Sequence, residues 1–187
     1  MHFTNDLTLS NFEQMSALER RYYGDDHITP AAQAYAWYLQ YPYTVTAMLD
    51  SGRVAGFANL FPISDRVFQS LQAGSFNDKY LTLDDIVDIS IGGLAPLHMF
   101  LCCIVLDAAY RADCMSFKLL LAAMQPYEAL LPRCDILITD NVTQHGEHFS
   151  QRLGLCKLCD TAFGSKIYQA EYSIFRNAVL LGSKPRN

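Results

Sequence analysis

The stretch Ile104-Val105-Leu106-Asp107-Ala108-Ala109-Tyr110-Arg111-Ala112-Asp113-Cys114-Met115-Ser116-Phe117-Lys118-Leu119-Leu120 sets an apolar run, a turn of small residues, an arginine and a helix start in immediate succession. Backbone N–H groups at a helix start have no partner inside the helix and lie at the positive end of its macrodipole. A tight turn that aims them outward makes an anion site, and Arg111 adds a charged donor. A pyrophosphate fits that description. So does a plain strand–turn–helix crossover that holds no ligand.

Other residue types invite other chemistry. Cys156-Lys157-Leu158-Cys159 is a CxxC. A redox pair of that spacing usually opens a helix, whose dipole lowers the thiol pKa; this one follows a helix and enters a strand. The preceding helix carries His145 and His148, but the spacing is unlike a compact zinc finger. No metal site is expected. Asp84, Asp85 and Asp88 could bind a cation or simply form a solvated helix start. The aromatic group Tyr35, Trp37, Tyr38, Tyr41 and Tyr43 could line a pocket or pack a helix onto a sheet.

These groups need a scaffold, and the sequence supplies one. At 187 residues, 51% apolar, the chain is expected to form a single domain spanning 1–187 that needs no staple. A net charge of −5 with 14 Lys+Arg argues against a nucleic-acid surface. The N-terminus has no basic and apolar signal segment, and the longest apolar run, Met99 to Leu106, is far short of the roughly 20 residues that cross a bilayer. A soluble cytoplasmic protein without a membrane partner is expected, its six cysteines as thiols.

Leu7-Thr8-Leu9 alternates as a short strand. Ser10 or Asn11 can cap a helix through Tyr23, and Thr29-Pro30 opens a second that stops before Pro42. Thr44–Leu49 and Arg53–Leu60 flank Asp50-Ser51-Gly52 as a hairpin. Ser64–Leu71 and Thr82–Val87 read as short helices. Met99–Leu106, continuously apolar, reads as a strand covered on both faces. A helix over Met115–Ala123, a strand over Asp135–Thr139, a helix over His145–Leu153 ended by Gly154, and a last strand over Ile167–Ser173 complete an α/β chain. One mixed sheet with helices on both faces follows.

Tyr110-Arg111 through Ser116, with Leu119-Leu120 behind them, resemble the coenzyme turn of the GNAT acetyltransferase superfamily, a strand running into Arg/Gln-x-x-Gly-x-Gly/Ala. Tyr43-Thr44 to Pro62 is similar to that family's second and third strands, and Phe149-Ser150-Gln151-Arg152-Leu153-Gly154-Leu155 to the aromatic-x-x-x-Leu-Gly-Phe ending of its last helix. The resemblance covers most of the chain. Its glycine positions hold Ala112, Cys114 and Ser116 here, and Asp113 brings a negative charge to the turn.

The resemblance implies a GNAT-like acyl-CoA N-acyltransferase fold with a mostly antiparallel mixed sheet. It implies acetyl-CoA as cosubstrate, held by Arg111, Ala112, Asp113, Cys114, Met115 and Ser116. The splayed fourth strand, Ile104, Val105 and Leu106, would bond the pantetheine arm, with Asn141 as a further contact. The acetyl group would pass to a primary amine of a small molecule or peptide by direct attack in a ternary complex. Where many members carry a Tyr that protonates the leaving thiolate, this chain has Ser150, which could relay a proton through water or sit on a helix surface. Where some carry a base on the fourth strand, it has His98. Tyr22, Tyr23 and Trp37 would border the acceptor. The altered glycines and the missing Tyr and Glu also fit a non-catalytic acyl-CoA sensor, and a homodimer is compatible with either.

Overall fold

The computed structural model describes residues 1–23, 28–111 and 114–184. Seven strands form one mixed sheet in the order β1-β2-β3-β4-β5-β7-β6, with helices on both sides. The strands are β1 His2–Thr4, β2 Val45–Asp50, β3 Arg53–Ile63, β4 Leu97–Leu106, β5 Cys134–Asn141, β6 Cys156–Asp160 and β7 Lys166–Glu171. The helices are α1 Leu9–Glu19, α2 Ala31–Gln40, α3 Asp65–Gln72, α4 Met115–Met124, α5 Gln144–Arg152 and α6 Tyr172–Gly182. Of the registered ladders, β4–β5 is parallel and β1–β2, β2–β3, β5–β7 and β6–β7 are antiparallel.

The chain divides into two compact units. The first comprises Met1–Asn59, Cys103–Pro126 and the residues from Gly182. Its apolar cluster joins Leu7, Phe12, Met15 and Leu18 of the α1 region to Tyr38, Val45, Ala47, Leu49, Val54, Phe57 and Val105. The expected strand at Leu7–Leu9 is absent because Thr8 caps α1: Thr8 and Asn11 bond each other's backbone reciprocally, which commits Leu9 to the helix. The first strand is His2–Thr4 instead. α1 closes at Glu19, and Arg20–Tyr23 follow as turns. Pro30 occupies the cap position of α2, with no side-chain cap from Thr29 or itself.

The hairpin stands as expected, and longer. Ser51 and Gly52 both take positive φ, 50° and 80°, the backbone that matches the twist of a tight hairpin. Gly56 on β3 is required by a close approach: a Cβ there would lie 2.5 Å from Leu106 Cδ1 and 2.9 Å from the Val105 carbonyl oxygen.

The second unit comprises Leu60–Cys102 and Tyr127–Leu181. Ser64 caps α3 through the Val67 N–H. The helix expected over Thr82–Val87 is one short 3₁₀ turn at Leu83–Asp85, fixed by Asp85, which accepts from both the Thr82 N–H and hydroxyl. Tyr172 and Ser173 belong to α6 rather than to the last strand. Tyr172, Phe175 and Val179 are buried at helical spacing, whereas strand alternation ends at Glu171. β6 carries one extra residue against β7: Lys157 faces Tyr168 and Cys159 faces Ile167, so the pairing slips at Leu158.

β4 departs from a strand covered on both faces. Its ends are buried, but Cys102, Cys103 and Ile104 in its second half are partly exposed.

Candidate functional site

The turn after β4 is built by local bonds within the first unit. Asp107 accepts from the Ala109 N–H at 3.1 Å and starts a 3₁₀ turn at Ala108–Tyr110. Tyr110 donates its hydroxyl to the Asp50 carboxylate at 2.6 Å, and that bond raises the phenol above its ordinary pKa. Arg111 comes next. Its Nε donates to the Leu106 carbonyl at 3.2 Å, and its guanidinium carbon lies 4.4 Å from the centroid of the Tyr22 ring. One of five guanidinium donors is thus used to hold the group in place, stacked on an aromatic face. Arg21 reaches the same turn through a 2.7 Å ion pair with Asp107.

Ala112 and Asp113 lie outside the described residues. Cys114 then enters α4 with φ 57° and ψ 16°, a left-handed backbone that glycine adopts without strain. It occupies one of the positions where the resemblance has glycine, so the turn keeps a glycine's shape on a cysteine. No side chain caps α4, and the Lys118 N–H, bonded to the Cys114 carbonyl at 3.0 Å, opens its ladder. The N–H groups of Met115, Ser116 and Phe117 stand ahead of that ladder, at the positive end of the helix. Met115 is buried and Ser116 half-buried. Ile104 is partly exposed, while the Val105 and Leu106 side chains are buried and leave main-chain groups as what they can offer.

The remaining candidates lie in the second unit. Asn141, the last residue of β5, and Ser150 on α5 form a closed pair: Asn141 Nδ2 donates to Ser150 Oγ at 2.9 Å, and Ser150 Oγ donates to Asn141 Oδ1 at 3.2 Å. Both are buried, so Ser150 is not a surface helix residue. His98 stacks on Phe68 with ring centroids 3.8 Å apart, and its Nε2 lies 3.6 Å from Asp65. Its Nδ1 is buried with no hydrogen-bond partner among the described residues. Asp85 is committed to Thr82 and Arg66, and Asp88 to the Ser90 N–H, so the acidic trio presents no shared face. Cys156 is exposed and Cys159 lies 3.6 Å from the Gln72 carbonyl. Among the described residues no group of His, Cys, Asp or Glu is gathered for a metal.

Sequence reasoning did not foresee the stacking of Tyr22 on Arg111 or the tie of Cys103 to Glu19 at 3.5 Å. Both join residues more than 80 positions apart, for which a single sequence carries no local signal.

Solved structures similar to this one include Ard1 from Thermoplasma volcanium, with TM-score 0.60 and 10% identity over 91% of this chain and 96% of that one. They also include a GNAT-like decarboxylase, GphF, in complex with isobutyryl-CoA, with TM-score 0.65 and 14% identity over 91% and 99%. A third is the ribosomal-protein-alanine N-acetyltransferase from Brucella melitensis, with TM-score 0.53 and 12% identity over 91% and 99%. No family model matches the sequence, and no curated protein does. At these identities the likeness is one of fold.

Proposed function

We propose, for a chain that has the fold of the GNAT acetyltransferases, that it binds acetyl-CoA and transfers the acetyl group to a primary amine. The observation that carries this is the left-handed Cys114 at the uncapped start of α4, directly behind Arg111. Left-handed backbone on a residue with a Cβ is sparsely populated, and such strain gathers at ligand clamps. The Met115 and Ser116 amides and the Arg111 guanidinium then meet the pyrophosphate. Main-chain groups of Ile104, Val105 and Leu106 bond the pantetheine arm, and the Asn141 backbone adds a further contact.

The transfer is direct. The neutral amine nitrogen attacks the thioester carbonyl carbon, the C–N bond forms, and the C–S bond breaks with its electron pair leaving on sulfur. Main-chain N–H groups stabilise the oxyanion. The attacking nitrogen gives one proton to the thiolate and keeps the other as the amide N–H; the thiolate resembles a cysteine of pKa about 8.5 and is a tolerable leaving group unaided. Before attack His98, whose ring has an acceptor nitrogen when neutral, takes the extra proton of the incoming ammonium through water, and Ser150 relays the attacking nitrogen's proton toward the thiolate. A positioned general acid or base contributes about 10²–10⁴-fold, so losing either slows the reaction without abolishing it.

Titration calorimetry with acetyl-CoA tests the assignment. The double variant Arg111→Glu, Ser116→Asp should lose coenzyme affinity with an unchanged circular dichroism spectrum. Unchanged affinity would place the diphosphate elsewhere. For the base, His98→Gln should lower kcat with acetyl-CoA affinity preserved.

A further inference from the structure

The acyl transfer makes no use of the cysteine pair on β6, and the sheet rearranges that pair. In a regular strand Cys156 and Cys159, three residues apart, would face opposite sides. The slip at Leu158 changes this. Cys156 stands opposite Gln169 of β7 and Cys159 opposite Ile167, and those two partners, two residues apart, share one face. Lys157 and Asp160 have the same spacing and meet on the other face at 2.7 Å. Gln72, at the end of α3, marks the cysteine face. Its carbonyl accepts from the Cys159 thiol at 3.6 Å, and its Nε2 donates at 3.0 Å to Oε1 of Gln169, the residue opposite Cys156. Gly74 leaves room there, since a Cβ on it would lie 3.2 Å from Cys159 Sγ. Cys156 is exposed, Cys159 is half-buried, and both are free thiols.

Distance decides what two thiols so placed can take. Same-face neighbours along a strand stand about 7 Å apart, whereas a disulfide needs Cβ atoms about 3.5–4.5 Å apart. A direct S–S bond would have to draw β6 off its ladder with β7. An ion between the sulfurs adds two bonds of about 2.3 Å and spans the interval with the ladder intact. Zinc takes four ligands. The helix that carries His145 and His148, α5, lies across the opposite face, where its Glu147 bonds Lys166 and Tyr168 of β7. Among the described residues no third His, Cys, Asp or Glu joins the pair to make a larger set. Two thiolates alone suit a soft ion of low coordination number, and thiolate selects Cu(I).

We propose that Cys156 and Cys159 form a two-coordinate site for a soft monovalent cation of the Cu(I) type on the outer strand of the sheet. On binding, each S–H loses its proton to solvent and each sulfur gives an electron pair to the metal. No electron is transferred, and affinity rises with pH. Cys159 exchanges its bond to the Gln72 carbonyl for the metal. The site stands apart from the acyl transfer and does not depend on it.

The reduced full chain is titrated anaerobically with Cu(I) in competition with bicinchoninate. In parallel it is labelled with iodoacetamide before and after one equivalent of Ag(I), a redox-inert ion of the same kind. The wild type should withhold one equivalent of Cu(I) from bicinchoninate, and Ag(I) should protect Cys156 and Cys159 from the label in peptide mass spectra. Cys156→Ser and Cys159→Ser should each weaken binding of that equivalent at least about a hundredfold with an unchanged circular dichroism spectrum. Cys156→Ser with Lys157→Cys keeps two thiols but turns one to the α5 face, and should bind as weakly as Cys156→Ser alone. The inference is overturned if the wild type withholds no Cu(I), if the Cys156→Ser, Cys159→Ser double variant keeps the wild-type affinity, or if the turned thiol restores it.

Discussion

Cys114 is held at φ 57°, where a residue with a Cβ is strained by about 1–2 kcal/mol. Its thiol regains little, a 3.4 Å bond to the Ser183 carbonyl. Cys114→Gly should therefore raise unfolding free energy by about 1 kcal/mol in urea titrations, and coenzyme affinity should hold or improve as the backbone approaches more closely. Two other cysteines separate by environment. Burial pushes the Cys134 thiol up to about 11, whereas Cys156 is exposed on β6. Near pH 8, iodoacetamide should label Cys156 in the native protein and spare Cys134 until the chain unfolds, a difference that peptide mass spectrometry resolves. Asp85 supplies a test by acid. Burial works against its charge, but the bonds from Thr82 and Arg66 outweigh burial and hold the carboxyl below the usual range. A depressed folded pKa stabilises the protein above the ordinary carboxylate value of about 3.9 and loses that stabilisation as the pH falls through the folded value. Asp85→Asn should cost about 2 kcal/mol near pH 7, and the gap to wild type should close below about pH 4.

At the scale of elements, α6 ends where Gly182 meets Phe117 of α4. A Cβ at Gly182 would fall 2.3 Å from the Phe117 ring. An alanine normally gains about 0.5–1 kcal/mol over glycine in a helix, yet overpacking a ring costs about 1–3 kcal/mol. Gly182→Ala should thus destabilise the protein, and Phe117→Leu beside it should relieve part of the loss. The hairpin of β2 and β3 was legible in sequence because Gly52 announces its turn, and α3 because Ser64 caps it. The beginning of α1 was not, since the Thr8–Asn11 pair competes with a strand pattern three residues long, Leu7-Thr8-Leu9. α6 was hidden for a different reason: Ile167 to Ser173 alternates well enough to extend a strand, and only Phe175 and Val179 restore the helical period. The turn after β4 was legible as a strand, an arginine and a helix start. Its left-handed residue was not, because cysteine gives no warning of positive φ.

For the molecule as a whole, ligand binding and stability are linked. If acetyl-CoA binds the folded chain alone, a concentration one hundred times Kd adds about 2.7 kcal/mol, which for a chain of this size is a rise of roughly 5–10 °C in Tm. Scanning calorimetry against acetyl-CoA concentration reads this directly, and adenosine alone should give far less. The described residues contain no helix long and apolar enough to cross a membrane, in keeping with a chain whose charge is spread at −5 over 187 residues.

β6 closes the sheet on one side, and an edge strand offers its outer amides to any extended segment that drifts past. The slip at Leu158 puts Lys157 and Asp160 on one face, where they bond at 2.7 Å, and spoils the flat template that another segment would need. The irregularity thus acts as a guard against amyloid-like recruitment, and excising Leu158 to restore a regular pleat should leave a protein that gels or scatters light on concentration while its parent stays clear.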